Sequence, residues 1–214
     1  MPTVALVLAG GLGRRMGGDK ALRCLDGRPL LAHVLARVAP QVSGMVISAN
    51  GDPARLARFA LPVVADPWPD HRGPLAGVLA GLRWVRAHRP EVVEMLVVPT
   101  DTPFLPTDLV ARLRAGRGRA VLACAMSLGR VHPVVSLWPV GLADALAAAL
   151  RGGERRVVAW MAGQGMAQVA WAGGAQDDPF ANLNTPEDVA RAQQRLASGP
   201  ALAHHRGREP EEQA

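Results

Sequence analysis

A chain of 214 residues with a formal net charge of +6 and a sequence pI near 11.0 suits one domain whose core needs no metal or disulfide staple. Its basic residues are dispersed, and three Phe, five Trp and no Tyr offer little for base stacking, so surface-solvating arginines or a field that gathers phosphorylated substrates explain the charge better than a nucleic-acid module. Cys24 and Cys124 lack any CxxC spacing and read as reduced thiols, no apolar run approaches the roughly 20 residues of a membrane span, and no export signal opens the chain, which together predict a cytoplasmic protein.

The first strand candidate is residues 4–8. Directly after it comes Ala9-Gly10-Gly11-Leu12-Gly13-Arg14-Arg15-Met16-Gly17-Gly18-Asp19-Lys20, with five glycines, two arginines and the single lysine of a chain that otherwise uses arginine. Unhindered backbone N–H groups in such a loop can converge on anionic oxygens, and a lone ammonium suits a place where a planar guanidinium fork does not serve. A phosphate cradle for a nucleotide is the functional reading; a tight strand-to-helix turn is the plain one. A Walker A loop is excluded because Asp19 intrudes before Lys20 and Ala21 replaces the metal-holding hydroxyl. A dinucleotide fingerprint is disfavoured because Met16 stands at its third glycine.

Helical spacing follows over residues 30–38, then a strand at 45–48 ending near Asn50, and a strand at 63–65 ending near Asp66. His71-Arg72-Gly73-Pro74-Leu75-Ala76-Gly77 opens a helix over 75–85, with glycines that permit close backbone approach. A buried strand at 95–98 runs into Thr100-Asp101-Thr102-Pro103, where Asp101 is either an Asx-turn residue or a hard oxygen ligand for Mg²⁺ facing the glycine loop. Asn50 is either a turn residue or a base or ribose contact, and Asp66 is a carboxylate for base or sugar donors.

A helix over 109–113 following a proline, strands at 120–124 and 134–137, a helix over 142–150 and a short helix or strand at 157–161 come next. Thr185 and Asp188 form a variant capping box around Pro186, leading into a helix over 189–196. Residues 198–214 lose apolar periodicity and read as a disordered tail, in which His204-His205 is not a dedicated metal site. Alternating strands and helices predict an α/β fold with a parallel sheet covered on both faces, and ligands at the strands' carboxyl ends. No Ser-His-Asp or Cys-His set has a persuasive spacing.

LAGGLGRRMGGDK at 8–20, GPLAG at 73–77, TDTPFLP around Asp101 and NLNTPEDV at 182–189 together resemble the molybdenum cofactor guanylyltransferases. The motifs recur in the family's order from the first strand to about residue 196; the first is shared by many sugar-phosphate nucleotidyltransferases, and the others narrow it. The resemblance implies a three-layer nucleotidyltransferase α/β fold with a mostly parallel, Rossmann-like sheet. It would be a single domain over residues 1–197, with a GTP-binding N-terminal half and a pterin-side C-terminal half. The implied reaction moves GMP from Mg-GTP to the terminal phosphate of molybdenum-molybdopterin, releasing pyrophosphate, with molybdoenzymes or their chaperones downstream.

Carried over by motif, Leu8, Ala9, Gly10 and Gly11 belong to the guanine and phosphate backbone. Lys20 and Arg15 belong to charge neutralisation with Arg14, Asn50 and Asp66 to further GTP contacts, Asp101 to Mg²⁺, and Asn182 and Asn184 to the pterin side. Backbone carbonyls or Asp66 are the acceptors suited to guanine's N–H edge. Alternatives are a cytidylyltransferase for the same cofactor, another nucleoside-triphosphate transferase, and a non-enzymatic delivery adaptor; the residues alone do not choose between guanine and cytosine.

Overall fold

The computed structural model describes residues 1–10, 20–68 and 73–198. In chain order its elements are β1 (Thr3–Leu8), β2 (Cys24–Leu25), β3 (Arg28–Pro29), α1 (Leu30–Val38), β4 (Gly44–Ser48), β5 (Val63–Val64), α2 (Pro74–His88) and β6 (Glu94–Pro99). Then follow α3 (Leu109–Arg117), β7 (Leu122–Ser127), β8 (Arg130–Pro139), α4 (Ala143–Arg151), α5 (Val157–Gln164), β9 (Met166–Trp171) and α6 (Pro186–Ser198). Among the described residues no helix is long and apolar enough to cross a membrane.

Among the described residues, seven strands form one sheet in the order β5-β4-β1-β6-β8-β7-β9. β1, β4, β5 and β6 are mutually parallel, β7 pairs parallel with β9, and only β8 among them runs against both its neighbours. The central strands are apolar on both faces because both faces are covered. Ala5, Val7, Leu96 and Val98 face the layer of α1 and α3, and Val4, Leu6, Met95 and Val97 face that of α2, α4 and α5. Sheet and helices thus make the three layers that the sequence predicts.

A third, smaller core joins the β2–β3 hairpin to α6 through Leu25, Leu30, Phe104, Leu183 and Ala192. The hairpin turns at Asp26 and Gly27, both at positive φ (50° and 69°), as a two-residue Asp-Gly turn does. Because β3 runs straight into α1, this hairpin carries the chain from Lys20 back to the sheet.

The elements differ from their expected limits in a few places, each with a local cause. Residues 157–161 are helical, and Gly165 at φ 90° turns α5 into β9. β9 is an edge strand with alternately exposed residues, so it lacks the continuous apolar run of the central strands. The strand expected at 120–124 begins at Leu122 and continues to Ser127. α3 does not start on a proline: Pro106 precedes the Asp108 N-cap, and Gln41 does the capping instead. Its Oε1 accepts from Val110 N at 3.0 Å while its Nε2 donates to Pro106 O at 2.9 Å.

At the amino end of β6, away from the strand tips that carry Asp101, Glu94 is only 4% exposed in its side chain and holds two guanidinium groups. Arg114 Nη2 lies 2.9 Å from Oε2 and Arg117 Nη1 lies 2.7 Å from Oε1. Arg114 also donates to Thr3 Oγ1 at 2.8 Å, fastening α3 to β1. Removing the carboxylate leaves two positive charges partly buried without their counterion.

Glu94→Ala should therefore lose about 3 kcal/mol of stability in urea unfolding. A second expectation concerns the thiols: Cys24 is exposed, and burial pushes the buried Cys124 up to about 12. Iodoacetamide at pH 8 should add one adduct to the native protein and two in denaturant, read by intact mass; two adducts on the native protein would refute it.

Candidate active site

Three strand ends stand level at the carboxyl edge of the sheet, for Leu8 pairs with Ser48 on one side and with Pro99 on the other. The ladder extends one step further, as Ala9 N donates to Ser48 O at 2.8 Å and Thr100 N donates to Leu8 O at 3.2 Å. From β1 the chain builds outward through β4 and β5, then returns to place β6 on the other side of β1. A doubly wound sheet opens its binding crevice at such a reversal.

A cavity of about 410 Å³ lies there, lined by Leu8, Gly10, Lys20, Ser48, Asn50, Asp66, Gly73, Pro74, Gly77, Pro99, Thr100, Asp101, Val134 and Asn182. Its size suits a small-molecule ligand. Seven residues singled out in the sequence thus share one cleft: Leu8, Gly10, Lys20, Asn50, Asp66, Asp101 and Asn182. Ala9 is buried beside it, and Asn184 reaches it through Lys20. Gly11, Arg14, Arg15, His71 and Arg72 lie outside the described residues.

The centre of the cleft is an ion pair. Lys20 Nζ stands 2.7 Å from Asp101 Oδ2, with the two side chains 13% and 18% exposed, and it also donates to Asn184 Oδ1. Asp101 Oδ1 is buried and has no hydrogen-bond partner among the described residues. A hard anionic oxygen left unpaired in a cleft of this kind fits a divalent cation. Among the described residues no three His, Cys, Asp or Glu side chains converge, so an ion would rest on this carboxylate together with oxygens from substrate and water.

Across the cleft Asn50 and Asp66 are tied reciprocally: Asn50 Nδ2 donates to Asp66 Oδ2 at 2.9 Å, and Asp66 N donates to Asn50 Oδ1 at 2.9 Å. The amide fixes the carboxylate as a unit at the tips of β4 and β5. Of the Leu8-Ala9-Gly10 backbone, the sheet already occupies the Ala9 N–H and one lone pair of the Leu8 carbonyl. Among the described residues, Gly10 and the Ala9 carbonyl take no part in these sheet hydrogen bonds.

The glycines of the GPLAG stretch serve two different purposes. Gly73, at φ 72°, adopts a backbone geometry that side-chain-bearing residues avoid, and it starts α2. Gly77 serves the sheet: a Cβ there would come within 2.6 Å of Ser48 Oγ and 3.0 Å of Leu8 Cδ2. Its absence lets the first turn of α2 sit directly on the tips of β1 and β4, with the N-terminus of a 15-residue helix beside the cleft, a position that favours anions.

The sequence spacing gives no hint of one cluster on this edge. Ser127 Oγ donates to Asp178 Oδ1 at 2.8 Å, and His132 Nε2 lies 2.7 Å from the same hydroxyl. A hydroxyl has one proton, so the imidazole N–H donates to Ser127. Burial lowers the His132 pKa, the Asp178 carboxylate opposes that, and Arg130 adds to the lowering, so the ring is neutral at pH 7. In this order the serine proton is committed to the carboxylate and the hydroxyl is not activated as a nucleophile. The cluster is a tie: with Phe180 N on Asp178 Oδ1 at 3.0 Å and Arg195 Nη1 on Asp178 O at 2.9 Å, it fastens the segment leading to Asn182 against β7, β8 and α6. Residues 5 and 51 positions apart have no periodic signal, so only the fold brings them together.

Comparison with known proteins identifies the family. Residues 5–168 match the family model described as MobA-like NTP transferase domain. The molybdenum cofactor guanylyltransferase of Rhodopseudomonas palustris (strain BisB5) is 54% identical over 196 residues, 89% of this chain and 92% of that protein. The one from Bradyrhizobium sp. (strain ORS 278) is 52% identical over 197 residues, 90% of this chain and 92% of that protein.

Among solved structures, molybdopterin-guanine dinucleotide biosynthesis protein A from Archaeoglobus fulgidus superposes with a TM-score of 0.70 at 22% identity, covering 91% of this chain and 98% of that one. A 4-diphosphocytidyl-2C-methyl-D-erythritol synthase from Anaerococcus prevotii superposes with a TM-score of 0.71 at 12% identity, covering 92% and 96%. These two likenesses establish the fold, and the sequence relatives establish the family. The chain belongs to the molybdenum cofactor guanylyltransferase family, within the MobA-like NTP transferase domain group, and is a nucleotidyltransferase.

Proposed function

We propose that the cleft at the tips of β1, β4 and β6 binds Mg-GTP and that the protein transfers its GMP to the terminal phosphate of molybdenum-molybdopterin, releasing pyrophosphate. The observation that carries this reading is the Lys20 ammonium paired with Asp101, whose second carboxylate oxygen is buried and unpartnered beside it. In the reaction an oxygen of the acceptor phosphate forms a bond to the α-phosphorus of GTP as the α–β bridging bond breaks, and the electron pair leaves with pyrophosphate. No protein nucleophile is needed, so the residues act by positioning and by charge neutralisation.

Lys20 has three N–H donors, of which Asp101 and Asn184 engage two; the third is available to a phosphate oxygen. Arg14 and Arg15, by their place in the loop, add charge on the leaving phosphates. Asp101 would hold Mg²⁺ through Oδ1, and the ion supplies neutralisation and orientation of substrate oxygens when bound. Gly10, the Ala9 carbonyl and the Asn50–Asp66 pair contact the nucleoside; carbonyl and carboxylate oxygens accept from the N–H donors of guanine's pairing edge. Asn182, which lines the cavity, faces the acceptor, whose product passes to molybdoenzymes or their chaperones.

Two measurements test this. With molybdenum cofactor as acceptor, pyrophosphate release should be at least tenfold faster from GTP than from CTP or ATP at equal concentration; a preference for CTP would defeat the guanine assignment. Asp101→Asn should lower kcat about 100-fold while the protein melts as the wild type does. A delivery adaptor would keep handing over cofactor in that variant, and such retention would defeat the enzymatic mechanism.

A further inference from the structure

Two asparagines of one turn, Asn182 and Asn184, share the motif but not a direction. Asn182 lines the cavity, whereas Asn184 Oδ1 accepts from the Lys20 ammonium across 164 residues of sequence. We propose that Asn184 is a positioning residue for the triphosphate-binding lysine, so that a segment grouped with the acceptor also sets the affinity for nucleotide. This rests on the reading that Lys20 meets the GTP phosphates.

Three features support the assignment. First, the turn is held from both sides. Leu183 N donates to Asp101 O at 2.9 Å, and the Leu183 side chain is buried with Leu25, Leu30 and Phe104. Asn184 N and Thr185 N both donate to Asp188 Oδ2 at 2.8 Å, and Asp188 N returns to Thr185 Oγ1 at 3.2 Å. Asn184 is thus presented by a fixed frame built on Asp101 and on the first turn of α6.

Second, a lysine carries four rotatable bonds, and an ammonium held by one carboxylate alone still swings about it. A second acceptor removes that freedom before the ligand arrives, lowering the ordering cost of binding. Third, the acceptor is an amide oxygen. It orients the ammonium without adding a second negative charge, which would repel the incoming phosphates and hold the lysine back from them.

The test is calorimetric titration without any acceptor substrate, using Mg-GTP and, separately, guanosine, on the wild type, Asn184→Ala, Lys20→Ala and the double variant. Asn184→Ala should weaken Mg-GTP binding about tenfold, as loss of a hydrogen bond to a charged group does. Guanosine, lacking phosphates, should bind as before. In the Lys20→Ala background the asparagine change should cost less than twofold, because the two residues act as one unit.

Unchanged Mg-GTP affinity in Asn184→Ala overturns the proposal and returns the residue to the acceptor. An equal loss with and without Lys20, or an equal loss for guanosine, overturns it as well, for the effect then does not run through the ammonium. If the wild type binds Mg-GTP no better than guanosine, the assignment of Lys20 to the phosphates fails first and takes this proposal with it. Thermal melting of each variant separates these outcomes from loss of fold: Asn184 is exposed, and its backbone hydrogen bond to Asp188 survives truncation of the side chain.

Discussion

The ion pair between Lys20 and Asp101 is the contact on which the site depends. It joins residues 81 positions apart, one at the exit of the glycine-rich loop and one at the tip of β6. In the proposed GTP site, a carboxylate would repel the polyphosphate unless a cation stood with it. Two charges withdrawn together from water also gain little net stability, since desolvation offsets their attraction. Under the proposed function the pair is a poised site rather than a staple of the fold: it keeps both charges in place, mostly hidden, for an anion and a cation that would arrive together.

Everything that brings the two ends together is sheet topology. Parallel pairing of β1 with β4 and β6 puts Leu8, Ser48 and Pro99 at one level, and the reversal of strand order leaves that level open. Gly77 and Gly81 let α2 lie flat on β1, where a Cβ would collide with Ser48 and Leu6. The antiparallel strand β8 then changes what the edge offers. Because it runs against its neighbours, it starts where they end, and so His132 and Val134 stand on the carboxyl edge too. The tie through Ser127 and Asp178 holds the following segment there, which is how residues near 180 come to lie beside residue 101.

Much of this was legible from residues alone. The central strands announce themselves by unbroken apolar runs, the glycine loop by its spacing after β1, and the capping box at Thr185 by Asp188, whose hydrogen bonds are those the motif implies. The glycine loop and Asp101 can be placed on one edge because each follows a buried strand, but the direct Lys20–Asp101 ion pair is seen only in the fold. What stays hidden has physical reasons. β9, exposed on alternate residues at the sheet's edge, has its apolar residues interrupted by Gln168; the β2–β3 hairpin is too short for periodicity and leaves only Asp26-Gly27 as a sign. Gln41 capping α3, the Glu94 cluster and the Ser127–His132–Asp178 tie are contacts between distant segments. For Gly77 the sequence shows that a backbone must come close, and the structure shows that the partner is the sheet.

Why the chain keeps one lysine follows from the same geometry. A guanidinium at residue 20 would present two parallel N–H groups, and its preferred partner is both oxygens of a carboxylate at once. Asp101 would then be engaged fully, and the oxygen suited to a metal would be closed. The ammonium is a point charge with three donors on a flexible stem. It takes Oδ2, leaves Oδ1 unpaired among the described residues, and spends a second donor on Asn184; in the proposed function the third goes to a phosphate. In a chain whose other Lys/Arg positions are all arginine, the exception falls where, in the proposed function, one carboxylate would serve two cations.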